Sequence, residues 1–267
     1  MLEKIKNTAT FIRNQVNFEP EIGIVLGSGL GGLTQNIDIV ASIEYKDIPG
    51  FPVSTVEGHA GRFVFGMLGG RKVVAMQGRF HYYEGYEMWQ IILPIRVMKF
   101  LGIQYLFVSN AAGGLNPTFK TGSLMIITDH INALPNPLIG PNIDELGPRF
   151  PAMTEAYSKE IIAKADAVAA ANGIEVKHGC YYAQSGPTFE TPSECKQVRT
   201  VGGDAVGMST APEVIAARHM GIPVFGMSVI TNSHGDGNIP THEEVQMEGA
   251  KASAKMITLF TELVKAL

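Results

Sequence analysis

Six short apolar runs rich in branched side chains punctuate this sequence, at residues 22–26, 63–67, 73–76, 105–108, 124–128 and 224–230. Runs of this length read as strands mostly buried on both faces, which demands helices packed on each side of one sheet. Helical patterns lie between them. Met88, Ile91, Ile92, Ile95, Met98 and Leu101 follow helical spacing, with Pro94 expected to kink or shorten that helix and Gly102 to stop it. Near the carboxyl terminus Met256, Ile257, Phe260, Leu263, Val264 and Leu267 form an apolar stripe suited to closing the core from one side. The class expected is therefore α/β, with ligands at the carboxyl ends of strands. Four strand candidates, ending at Leu26, Gln77, Ser109 and Ile230, pass directly into glycine or polar residues.

A chain of 267 residues fits one domain, expected over residues 1–267, because single cores extend to about 250–300 residues. Lysine and arginine total 21 against 25 acidic residues, a formal charge of −4 that argues against a broad nucleic-acid footprint. The two cysteines, Cys180 and Cys195, have no paired spacing and suit reduced thiols in a cytoplasmic protein. The first residues lead into an amphipathic helix without the apolar centre of a signal peptide, and no segment is long enough to span a membrane. The seven histidines show no His-x-x-x-His pair and the cysteines no Cys-x-x-Cys, so no metal site is expected.

The segment Gly78-Arg79-Phe80-His81-Tyr82-Tyr83-Glu84-Gly85-Tyr86 follows a strand candidate. In extended chain, positions 79, 81 and 83 project to one side and bring a guanidinium, an imidazole and a phenol to one small volume. That set suits an anionic, hydroxyl-bearing ligand; the competing reading is an ordinary polar loop. After the first strand, Gly27-Ser28-Gly29-Leu30-Gly31-Gly32-Leu33 could cradle a phosphate on backbone amides, with Ser28 adding a hydroxyl. The glycines at 27, 29 and 32 also match a dinucleotide fingerprint, for which Glu44 is a loosely spaced ribose partner, while a P-loop is excluded by the absence of Gly-Lys-Ser/Thr. A sharp turn explains the same glycines.

Further along, Glu57-Gly58-His59-Ala60-Gly61 sets a histidine among small residues, and Asn110-Ala111-Ala112-Gly113-Gly114 offers backbone donors with little bulk. In Ser185-Gly186-Pro187-Thr188-Phe189-Glu190-Thr191, Phe189 could stack on a flat heterocycle while Glu190 accepts from ring N–H groups, or Glu190 caps the next helix. Ser209, in Gly207-Met208-Ser209-Thr210, offers either an anion-binding hydroxyl or a helix cap. Asn232 ends a strand with an amide able to donate and accept at once, or else occupies a turn.

These seven segments occur in the order found in the trimeric purine nucleoside phosphorylases, which the chain resembles over nearly its whole length. The resemblance implies a three-layer α/β sandwich with a mixed, partly barrel-like sheet, a homotrimer, and phosphorolysis of nucleosides with no metal or organic cofactor. It implies phosphate held by Ser28, Arg79, His81, Ser209 and the backbone of Ala111, with His59 nearby. Tyr83 and Met208 take the ribose and His242 the 5′-hydroxyl. Phe189, Glu190 and Asn232 take the base, and Phe150 is lent by a neighbouring subunit. Asn232, Glu190 and His81 carry the catalytic roles. An asparagine at 232 suits six-oxo purines, so inosine, guanosine and their deoxy forms are the expected substrates. The loop after Asn232 is shorter than in mammalian relatives and has Ser233 where they have lysine, which makes His234 a rival to His242. Two other readings stay open: a nucleoside hydrolase using water, and a nucleotide-binding module without catalysis.

Overall fold

The computed structural model describes residues 1–56, 59–233 and 241–267. The chain runs α1 (Leu2–Gln15), β1 (Ile22–Leu26), β2 (Asp38–Glu44), β3 (Arg62–Leu68), β4 (Arg71–Gln77), α2 (Met88–Ile91), α3 (Leu93–Leu101), β5 (Tyr105–Gly114) and β6 (Leu124–Asn132). It continues through α4 (Lys159–Ala171), β7 (Val176–Ala183), α5 (Pro192–Thr200), β8 (Ala205–Gly207), α6 (Ala211–His219), β9 (Val224–Ser233) and α7 (His242–Ala266). Pro94 breaks the predicted helix into α2 and α3, taking a first-turn position where its missing N–H costs nothing, and Gly102 at φ +118° ends α3.

The described strands form one mixed sheet in the order β2-β3-β4-β1-β5-β8-β7-β6-β9, with β9 returning to pair with β5. That return closes β5, β8, β7, β6 and β9 into a ring, while β1, β4, β3 and β2 extend from it as an open wing. β5 is the junction. Its first half lies between β1 and β9, and its last residues, Gly113 and Gly114, lie between β8 and β9.

Both sheet faces are buried, which accounts for the unbroken apolar runs. In β1, Val25 faces a core built with α1, α3 and α6, while Ile22, Ile24 and Leu26 face a second core beneath α4 and α7. β4 divides the same way, Val74 and Met76 against Val73 and Ala75. The carboxyl-terminal stripe closes the second core: Phe260 packs edge-on against Phe107 and Phe225 at 5.5 and 5.8 Å between ring centres. Among the described residues no helix is long and apolar enough to cross a membrane.

Three strands carry no run that the sequence pattern singles out. β2 is a largely exposed edge, β7 mixes Lys177, His178 and Gly179 with its apolar residues, and β8 has three residues. Pairing into the ring, not composition, makes β7 and β8 strands.

Candidate active site

β1, β4, β5 and β9 are parallel neighbours, so their carboxyl ends share one edge of the sheet. The segments leaving that edge, with the β7–α5 and β8–α6 connections and the start of α7, enclose a cavity of about 440 Å³. Its wall includes Ser28, Arg79, His81, Tyr83, Ala111, Phe189, Glu190, Met208, Ser209, Asn232 and His242. Chain-distant motifs thus meet in one volume. His59 stands behind this wall, its Nε2 3.2 Å from the Ser28 hydroxyl. Phe150 does not join it: the side chain is 88% exposed and borders a second cavity of about 650 Å³ beside Arg149 and Met153. His234, with Glu57 and Gly58 of the His59 motif, lies outside the described residues.

The glycine loop serves close packing. A Cβ on Gly27 would lie 2.9 Å from the Asn110 Cα, so only glycine lets the end of β1 lie against β5 with Ser28 just beyond. The loop enters a 3₁₀ turn at 31–36, not an α-helix, and Glu44 sits on β2, separated from β1 by β3 and β4. The dinucleotide arrangement is therefore not built, because it needs a parallel strand–helix–strand unit at this place.

Arg79, His81 and Tyr83 do share the cavity, but not by strand alternation alone. His81 is extended and opens a 3₁₀ turn over Tyr82–Glu84, which lays the Tyr83 ring on the His81 ring at 4.8 Å and 14°. Glu84 holds that turn. Its carboxylate accepts from the His81 backbone N–H at 2.7 Å and lies 3.1 Å from His81 Nδ1, while the Thr55 N–H and hydroxyl donate to its other oxygen at 2.8 and 2.7 Å. Burial alone would raise this carboxyl, but these hydrogen bonds outweigh it and hold it at about 2. Because an ionised carboxylate only accepts, Nδ1 of His81 carries the proton and Nε2 is left as an acceptor. Burial holds His81 below the usual histidine range, against the opposing pull of Glu84, and the Tyr83 phenol is pushed up to about 12 by burial and by Glu84.

His59 ties Ser28 to the end of β4: its Nε2 lies 3.2 Å from the Ser28 hydroxyl, and its Nδ1 lies 3.2 Å from both the backbone nitrogen and the carbonyl oxygen of Arg79 and 3.3 Å from the Ser54 hydroxyl. Burial, then His81, lowers His59 to about 4, so the ring is neutral at pH 7.

Arg79 is not the free fork expected from the sequence. Its guanidinium is 1% exposed and Nη1 donates to Glu213 at 2.8 Å, Thr210 Oγ1 at 2.9 Å and Ser209 Oγ at 3.1 Å. Nη2 reaches the carbonyls of Ser109 and Val25. Thr210 is the residue before α6, yet its side chain makes no cap; at φ +71° it turns its hydroxyl to Arg79 and Asn110 instead. Ser209 is likewise engaged with Arg79 rather than capping the helix.

At the opposite end, Glu190 accepts from Gln184 Nε2 at 2.6 Å. Capping of α5 falls to Thr191 and Glu194, which leaves Glu190 to the cavity wall. Asn232 is a strand residue of β9, in register with Gly113, and not a turn. His242 opens α7, with Nε2 2.9 Å from Gln246 Nε2. Among the described residues no three His, Cys, Asp or Glu side chains group as metal ligands.

Sequence reasoning did not assign roles to Glu84, Thr55, Asn110, Thr231 or Glu213. A carboxylate three residues after a histidine was visible for Glu84; for Glu213, paired across 134 positions, no local signal exists.

A family model described as the phosphorylase superfamily matches residues 21–265. The chain is 52% identical over 264 residues to purine nucleoside phosphorylase 1 of Geobacillus stearothermophilus, covering 98% of this chain and 96% of that protein. It is 47% identical over 278 residues to the purine nucleoside phosphorylase of Bos taurus, covering 99% and 94%. Crystal structures of Schistosoma mansoni purine nucleoside phosphorylase with adenosine and with inosine superpose with TM-scores of 0.95 and 0.94 at 45% and 44% identity. Each covers 99% of this chain and at least 96% of the other. A cavity ringed by hydroxyls, a buried arginine and a carboxylate–amide pair, on a chain this similar throughout, makes it a member of the phosphorylase superfamily and, within it, of the purine nucleoside phosphorylases, enzymes of the pentosyltransferase class.

Proposed function

We propose that this enzyme cleaves six-oxo purine ribonucleosides and deoxyribonucleosides by phosphorolysis, as a homotrimer and without a metal or organic cofactor, in purine salvage in the cytoplasm. The observation that carries the reading is that Arg79 and Asn232 border the same cavity, so an anion and a purine ring fit on either side of one sugar. Ser28, Arg79, His81, Ser209 and the Ala111 backbone hold phosphate, with His59 orienting Ser28. Tyr83 and Met208 line the ribose, and His242 takes the 5′-hydroxyl. Phe189 stacks on the base, which Glu190 and Asn232 grip by its edge.

As the sugar–base bond stretches, positive charge grows on the ribose and negative charge on the purine. An oxygen of hydrogen phosphate bonds to the anomeric carbon, the bond to the ring nitrogen breaks with its electron pair going to the base, and the proton that the phosphate gives up ends on the base, which leaves neutral. Asn232 donates to the six-position oxygen side as charge arrives there, a fixed dipole worth about 3–4 kcal/mol. The products are free base and ribose 1-phosphate. Phe150, exposed beside exposed Ile139, supports the trimer: an apolar side chain presented to solvent suits insertion at a neighbour's cavity.

Adenosine binds the Schistosoma mansoni relative, so turnover rather than binding decides base preference. Inosine, guanosine and adenosine are incubated with and without phosphate, and base and ribose 1-phosphate are quantified. Phosphate-dependent release from inosine and guanosine is expected; release without phosphate points to a hydrolase, binding with no release to a nucleotide-binding module, and equal adenosine cleavage overturns the six-oxo preference. Solution mass tests the trimer.

A further inference from the structure

Glu213, the buried ion-pair partner of Arg79 behind the anion end, has no part in the roles given so far. Arg79 and Glu213 are 1% and 2% exposed and lie 2.8 Å apart. A guanidinium carries five N–H donors. The two on Nη1 are spread over Glu213, Thr210 and Ser209, the two on Nη2 face the Val25 and Ser109 carbonyls, and Nε has no partner. Arg79 and Ser209 border the cavity, whereas Glu213 does not. The carboxylate therefore opposes the arginine's charge from the side away from the ligand.

A buried pair of this kind contributes little net stability, because desolvation of both ions consumes most of their attraction. The geometry has a plainer consequence for the ligand. An anion entering beside Ser209 meets an arginine whose charge is already balanced, so hydroxyl and amide dipoles provide most of the hold. Resting on the phosphorolysis reading above, we propose that Glu213 is a positioning residue of the anion end: it fixes Arg79 and offsets its charge, and so keeps phosphate and the sugar-phosphate product from binding too tightly. Tighter binding of both ground states brings no gain in turnover.

The test compares the parent enzyme with Glu213→Gln and with the double variant Arg79→Gln/Glu213→Gln, measuring KM for phosphate and for inosine, and Tm with and without inorganic phosphate. Glutamine keeps an acceptor for Nη1 and removes the opposing charge. The single variant is expected to lower KM for phosphate by about tenfold, to leave KM for inosine near the parent value, and to gain more Tm from phosphate than the parent does, since the anion now supplies the missing counter-charge. The double variant has no unpaired charge, and its Tm gain from phosphate is expected to fall below the parent's. A single variant that is soluble only with phosphate, or insoluble while the double variant folds, gives the same answer in stronger form. An unchanged or raised KM for phosphate with no larger Tm gain overturns the proposal. So does a double variant as unstable as the single one, because Glu213 then acts through something other than Arg79. The parent serves as the control: if it releases base without needing phosphate, the functional reading fails, whereas a phosphate-dependent parent with an unresponsive variant sinks only this inference.

Discussion

Glu84→Gln isolates the electrostatics that hold the His81–Tyr83 turn. The parent carboxylate takes four hydrogen bonds, at 2.7 and 3.1 Å from His81 and at 2.8 and 2.7 Å from Thr55. Although burial opposes ionisation, these bonds hold the carboxyl at about 2, against 4.5 for an unperturbed glutamate. That difference corresponds to about 3 kcal/mol of stability at neutral pH. The sign follows from the folded value lying below the unfolded one: the contribution is complete above the unfolded pKa and drains away as the pH falls from there through the folded pKa near 2. Glutamine keeps the shape but turns one acceptor into a donor facing donors, so a loss of about 2–3 kcal/mol is expected at pH 7. For a chain of this size that is a fall in Tm of roughly 5–10 °C. The variant also frees the His81 ring, so KM for phosphate should rise more than KM for inosine. Urea unfolding of parent and variant between pH 7 and pH 3 reads the effect directly. Equal stability at pH 7, or a gap that stays constant on acidification, refutes the assignment of Glu84 as the group that fixes His81.

The remaining expectations concern other parts of the cavity. Asn232→Ala and Glu190→Ala should each cut turnover by about 10²–10³ while Tm stays near the parent value; near-parental rates in both would remove the base-site assignment. His59, neutral and held at about 4 against an ordinary 6.5, binds a proton more readily when unfolded, so stability should fall by about 2–3 kcal/mol as the pH drops from 6.5 to 4. His59→Gln should lack that decline, as urea titrations at several pH values would reveal. Phe150→Ala removes a side chain that is 88% exposed; little change in monomer stability and a several-fold rise in nucleoside KM are expected, and an unchanged KM speaks against its being lent to a neighbour.

Much of the site was legible because each motif is local and several sit where a strand ends. Ser28, Arg79, His81 and Asn232 lie at or just past the carboxyl ends of β1, β4 and β9, and parallel pairing through β5 brings those ends together. Glu190 and Ser209 stand out by their own local motifs, an aromatic beside a carboxylate and a hydroxyl among small residues, and not by a strand end. What stayed hidden depended on partners far away in sequence. Thr210 reads as a helix cap until its hydroxyl is seen bonded to Arg79 and Asn110, 131 and 100 positions distant. The Arg79 fork looked available to a ligand because nothing near it in sequence shows Glu213 behind it.

From its sequence alone, then, the chain determined an α/β sheet covered on both faces, since only that arrangement buries apolar runs such as 22–26 and 224–230 along their whole length, and it determined which loops carry polar chemistry. Tertiary structure decided that β9 returns to β5 and closes a ring, that β7 and β8 are strands at all, and how much charge Arg79 shows to the cavity. Those outcomes rest on pairing and on cancelling charges between residues a hundred or more positions apart, and neither leaves a periodic mark on the chain.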